Sequence, residues 1–100
     1  MKFERIKNKK PPPVHEAKQE VILAISKYML GNPNAKDTEE GVKKWWMEGK
    51  FSKEEIRSGL HWFVEKEWIL KRLLPGGNQV FCMNPDHKQD VLNYLKEQDR

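Results

Sequence analysis

Three histidines (His15, His61 and His87) and one cysteine (Cys82) are the side chains best suited to nucleophilic, acid–base or metal chemistry, and they are scattered along the chain. A single cysteine cannot close an intramolecular disulfide, and no cluster of cysteines offers a zinc site. Cys82 falls in an apolar run, where a thiol is expected to be buried and inert. Asp86, His87 and Asp90 gather around one helical turn, but two carboxylates and one histidine without a further ligand make a poor metal site. The preference of acidic groups for a helix N-terminus explains them. There is no phosphate-binding glycine loop, dinucleotide fingerprint or G-x-S-x-G elbow. These residues point away from an enzyme, and no metal or cofactor is expected.

Ion pairing with phosphate is a second kind of chemistry, and here the distribution of cations matters. The chain has 19 Lys and Arg against 15 Asp and Glu, a formal charge of +4. Lys2, Arg5, Lys7, Lys9 and Lys10 face only Glu4 within the first ten residues. Residues 11–100 balance 14 cations with 14 carboxylates. The sequence therefore describes a basic arm on a neutral body, not a uniformly basic nucleic-acid binder.

The elements that must position these groups can be read in order. At 100 residues the chain fits one domain. No apolar run approaches the roughly 18 to 20 residues of a membrane span, and no signal-peptide core follows the charged start. A soluble, cytoplasmic domain without a membrane partner is expected. Pro11-Pro12-Pro13 closes the arm, because three prolines hold an extended segment and stop a helix from crossing. Residues 1–13 are read as arm and linker, and 14–100 as the folded domain. A first helix is expected from about Val14 to Leu30, with Ala17, Val21, Ile25 and Tyr28 at helical spacing and Gly31 as a left-handed cap. A second begins near Asp37-Thr38, with Asp37 as cap and Glu40 three residues on. Val42, Trp45 and Trp46 carry its apolar face, and Gly49 ends it. Ser52-Lys53-Glu54-Glu55 is an S-x-x-E capping box opening a third helix, and Phe51 can staple onto Ile56. Trp68 to Leu74 and Gln79 to Met83 read as strands around the turn Pro75-Gly76-Gly77-Asn78. Asn84-Pro85 starts a last helix. Ile25, Ile56, Leu60, Phe63 and Leu70 are expected in the core.

Three helices, a two-stranded hairpin and a C-terminal helix make a mainly α fold that resembles the winged helix-turn-helix family over roughly residues 14–95. The carriers are Phe51-Ser52-Lys53-Glu54-Glu55-Ile56-Arg57-Ser58-Gly59-Leu60 and the hairpin starting at Trp68-Ile69-Leu70. Similar members carry S-x-x-x-I-x-x-x-L on the third helix and a glycine before the wing, where this chain has Glu67-Trp68. The resemblance implies double-stranded DNA as partner, with the third helix in the major groove and the hairpin on the backbone. Many winged helices bind only proteins, so the fold alone does not settle the matter.

With Ile56 at the centre of the buried stripe, Glu54, Ser58, His61 and Glu65 fall on the opposite side of the third helix, with Arg57 to one side and Lys53 near its start. Base reading is assigned to Arg57, Ser58 and His61, supported by Lys53. Phosphate contacts are assigned to Lys71, Arg72, Asn78 and Gln79 in the wing, Lys43 and Lys44 on the second helix, and the arm. The module would be a small transcriptional regulator. The alternative is a protein-interaction module anchored on exposed tryptophans, with Trp46 and Trp62 as candidates; peripheral core is the competing reading of Trp62. A monomer or weak dimer is expected, because the last helix needs part of its apolar side for its own core.

Overall fold

The computed structural model describes residues 17–98. The arm with Lys2, Arg5, Lys7, Lys9 and Lys10, the proline linker and the expected helix start at Val14 lie outside the described residues. The elements are α1 (Gln19–Gly31), β1 (Lys36–Asp37), α2 (Glu39–Gly41) running into a π-helical turn (Val42–Trp46), α3 (Lys53–Glu65), β2 (Ile69–Leu73), β3 (Gln79–Met83), a 3-10 turn (Pro85–His87) and α4 (Lys88–Gln98).

Helix α1 buries Val21, Ile22, Ile25, Ser26 and Met29, one stripe at three- and four-residue spacing. Gly31 is the last residue of the helix and Asn32 closes it with φ −139°. The expected left-handed glycine cap is therefore absent; the Asn32 N–H bonds back to the Tyr28 and Met29 carbonyls instead. Helix α3 starts as its capping box requires. The Ser52 hydroxyl accepts from the Glu55 N–H at 3.1 Å, and the Glu55 carboxylate accepts from the Ser52 N–H at 2.9 Å. Gly59 lets α1 and α3 approach closely: a Cβ there would lie 2.7 Å from Val21 Cγ1. Ile56, Leu60 and Phe63 join Ile25, Val42, Ile69, Phe81, Met83 and Val91 in one core.

The sheet has three strands in the order β1-β3-β2, all antiparallel, one more than the sequence indicated. Strand β1 is only Lys36 and Asp37, paired with Cys82 and Phe81. Its two charged residues carry no alternating pattern, so nothing in their types announces a strand. Because Asp37 is in the sheet, the cap of α2 falls to Thr38, whose hydroxyl accepts from the Gly41 N–H at 3.1 Å.

Two further expectations are corrected by alternation and winding. Leu70 is exposed while Ile69 is buried, because neighbouring strand residues face opposite sides and Ile69 shares the inner side with Phe81 and Met83. In the second helix, the Met47 N–H bonds to the Val42 carbonyl five residues back. This wider turn sends Trp45 outward, at 64% exposure, and Trp46 inward. Trp46 stacks on Tyr28 with ring centroids 4.9 Å apart, so it is core and not the exposed anchor expected of it.

At the end of α3 the chain turns sharply into the hairpin. Glu67, standing where the resembling family has glycine, adopts φ +65°. Asn84 secures this turn: its side-chain amide donates to the Glu67 carbonyl at 2.8 Å, and its N–H donates to the Trp68 carbonyl at 2.8 Å. The same Asn84 accepts from the Asp86 N–H and caps the 3-10 turn that leads into α4.

Candidate nucleic-acid interface

Lys53, Arg57 and His61 recur every four residues, so α3 presents them as one exposed ladder ending at Glu65. The hairpin rises from the end of the same helix. Lys71 is paired with Phe81 and Leu73 with Gln79, which places these four residues on the hairpin face turned toward α3. Between helix and hairpin runs a groove of about 200 Å3. Leu60, Val64 and Phe81 form its apolar floor, Arg57 and His61 one wall, and Lys71 and Gln79 the other. Glu39 also lines it, and toward the hairpin turn it widens into a cleft of about 560 Å3 that takes in Lys53, Asn78, Thr38 and a second carboxylate, Glu40. The structure thus gathers six of the expected residues, Lys53, Arg57, His61, Lys71, Asn78 and Gln79, around one concave surface.

Other assigned residues fall elsewhere. Ser58 is only 8% exposed. Ser58 is thus too buried to read a base, and the buried arc of α3 extends from the Ile56–Leu60–Phe63 stripe to Ser58 and to Gly59, which meets Val21 and Ile25 of α1. Arg72 pairs with Val80 and faces away from the groove. Lys43 borders a separate cleft between α2 and α3 with Lys53, Glu39 and Glu40. Lys44 leans over Trp45, its ammonium 5.4 Å from the ring centroid.

Glu39 is the residue that sequence reasoning missed. Its carboxylate accepts from Arg57 Nε at 3.2 Å and Nη2 at 3.0 Å, a two-pronged pair joining α2 to α3 inside the groove. Glu39 holds the Arg57 guanidinium above its ordinary pKa, first through the hydrogen bond and then through charge. The residues are 18 apart, so no local spacing signals the contact. His61 Nε2 lies 3.2 Å from Glu65 Oε2. The surface is therefore mixed in charge: a ladder of Lys53, Arg57 and His61 in which both Arg57 and His61 lie against a carboxylate.

Trp62 is half-buried in an aromatic cluster. Its ring centroid lies 5.0 Å from Phe63, 5.6 Å from Trp68 and 5.5 Å from Tyr94, and Lys66 Nζ sits 4.8 Å from it. It joins α3, the hairpin base and α4 at the periphery of the core while keeping part of its surface in solvent. His87 Nδ1 and Asp90 Oδ2 are 2.7 Å apart across three residues of one helical start. Among the described residues no three potential metal ligands gather, and no helix is long and apolar enough to cross a membrane.

No protein-family model, no curated protein and no solved structure matches this chain.

Proposed function

We propose that the chain is a winged-helix module that binds double-stranded DNA, with α3 as the reading helix, the β2–β3 hairpin as the wing and the basic arm adding affinity. The observation that carries this reading is the convergence of Lys53, Arg57 and His61 from α3 with Lys71, Asn78 and Gln79 from the hairpin on one groove. Cations and amides on both walls suit phosphates and base edges, while Glu39 and Glu40 at the α2 end of the surface can accept from base amino groups. The order α1-β1-α2-α3-β2-β3, with β1 paired to β3, supports the same fold reading. The role is that of a cytoplasmic regulator that binds without catalysing. Phosphate neutralisation should make binding salt-dependent: Lys71→Ala should lower the slope of log K against log salt by about 0.9, whereas Arg57→Ala, which removes a base-reading group, should weaken binding by about 1–3 kcal/mol and relax sequence preference. Fluorescence anisotropy of a labelled duplex across a salt series tests this; no binding of the full chain even at low salt would end the reading.

A second reading, a protein-interaction module without DNA, is favoured by one feature: Glu39 occupies Arg57 within the groove. Under that reading Arg57→Ala leaves partner capture dependent on the apolar surface alone, and duplex titrations stay flat.

A further inference from the structure

The hairpin ends in an apolar tip that the fold does not cover. Leu73 is 67% exposed and Leu74 39% exposed, and Pro75 beside them is exposed as well. The tip is firmly built. The Leu74 N–H donates to the Asn78 carbonyl at 2.7 Å, and the Gly77 N–H donates to the Leu74 carbonyl at 3.0 Å. Gly76 and Gly77 make the turn at φ 96° and 93°, so no bulky side chain stands beyond the leucines.

The charge of this segment is equally particular. From Trp68 to Pro85 there is no carboxylate, the longest such stretch among the described residues. Lys71 and Arg72 are neighbours on β2 and therefore place one cation on each face of the hairpin. Five paired residues carry the tip about 17 Å along the strand direction, enough to cross a phosphate ridge from one groove of a duplex to the next. An apolar point with cations on both sides and no anion complements a narrow slot edged by phosphates and filled with stacked bases. The minor groove is such a slot, roughly 6 Å wide. Proteins that enter it combine lysine or arginine with leucine or proline wedges that part a base step.

We propose that Leu73 and Leu74 form a minor-groove wedge. With α3 against the major groove, the hairpin crosses the backbone, Lys71 and Arg72 bind the flanking phosphates, and the leucine tip unstacks a flexible pyrimidine–purine step and kinks the duplex. This inference rests on the DNA reading above. An anionic lipid surface would offer the same charges. The groove favours DNA, because Leu73 shares its hairpin face with Lys71 and Gln79, which line the groove opposite α3.

The test uses the full chain and a duplex of about 25 base pairs with a TA step at its centre. 2-Aminopurine beside that step reports unstacking, and dyes at the two ends report bending. Wild type should brighten the 2-aminopurine several-fold and bring the ends together. Leu73→Ser/Leu74→Ser should melt like wild type, since both side chains are exposed. It should bind about tenfold more weakly, the loss of one buried leucine's worth of contact. Its salt slope should be unchanged because no cation is removed, and the 2-aminopurine should stay dark. Leu73→Ala alone should give an intermediate signal. Binding by wild type without unstacking or bending overturns the wedge and leaves the DNA reading standing, as does a double variant that behaves like wild type. No duplex binding at low salt removes both. Sedimentation with phosphatidylserine vesicles that depends on Leu73, in a chain that ignores the duplex, overturns the wedge in favour of a membrane contact.

Discussion

Glu67 and Glu48 are the two residues with side chains that lie in the left-handed region among the described residues. A left-handed conformation costs a residue with a side chain about 1–2 kcal/mol, and Glu67 adopts it at φ +65° to turn from α3 into the hairpin. Asn84 holds the turn through the Glu67 carbonyl, a contact that any residue at 67 can make. Glu67→Gly should therefore stabilise the fold. Set against the greater freedom of glycine in the unfolded chain, the gain should be roughly 1 kcal/mol, or a few degrees in a thermal melt. A lower melting temperature would show that the Glu67 side chain contributes more than its backbone costs. Tyr94 offers a residue-scale experiment in pH. Burial raises its phenol above the ordinary tyrosine pKa, so the folded state resists ionisation. The sign follows: this contribution is complete below about pH 10, the unfolded value, and is lost as pH rises through the folded value. Tyr94→Phe should flatten the alkaline limb of a stability–pH curve relative to wild type.

Between elements, the tie that bears on the proposed DNA contact is Glu39 on α2 to Arg57 on α3. An exposed pair of this kind contributes about 0–1 kcal/mol to stability, so its main effect is on where the guanidinium points. Glu39→Gln should free Arg57 for the duplex, remove a carboxylate from the groove and tighten duplex binding several-fold at low salt while leaving the melt nearly unchanged. Weaker binding by that variant would mean that Glu39 orients Arg57 for its contact. This pair also marks the limit of what the sequence discloses. The α3 capping box, the hairpin with its Pro75-Gly76-Gly77-Asn78 turn and the Ile56–Leu60–Phe63 stripe are all written in local spacing, and all are present. Strand β1 is not, because a two-residue strand exists only through its partner β3. Trp45 leaves the apolar face expected of it alongside Trp46, and Trp46 is core and not an anchor, because a π turn winds less per residue than an α-helix and no residue type at 42–46 prescribes it. Ser58 looks exposed on a helical wheel centred on Ile56, but it is buried beside Gly59, where α1 packs on α3. Contacts between distant parts of the chain decide each of these cases.

For the whole molecule, the separation of charge remains the governing property. Lys2, Arg5, Lys7, Lys9 and Lys10 supply the entire formal excess of +4. Deleting residues 1–10 should flatten the dependence of log K on log salt by up to about 4 to 5 units, if each cation replaces a counterion. An unchanged slope would assign the affinity wholly to the folded body. Sedimentation of the free chain should show a monomer or weak dimer, since Val91 is buried within the domain and Leu92, Tyr94 and Leu95 on the same helix are already half-covered. Trp62→Ala should destabilise that monomer by several kcal/mol, as expected for an aromatic ring packed on three others.

The strand order β1-β3-β2 leaves β2 at the edge of the sheet among the described residues, with its outward backbone amides and carbonyls outside the ladder. Such a margin is a template on which a second copy can nucleate fibrous aggregates, and Ile69, Leu70 and Leu73 have the composition that favours it. Lys71 and Arg72 interrupt that run at its centre. Like charges brought into register would repel, so these two residues act as gatekeepers for solubility whatever else they bind. The strand can keep an adhesive tip without becoming an adhesive edge because its middle is charged.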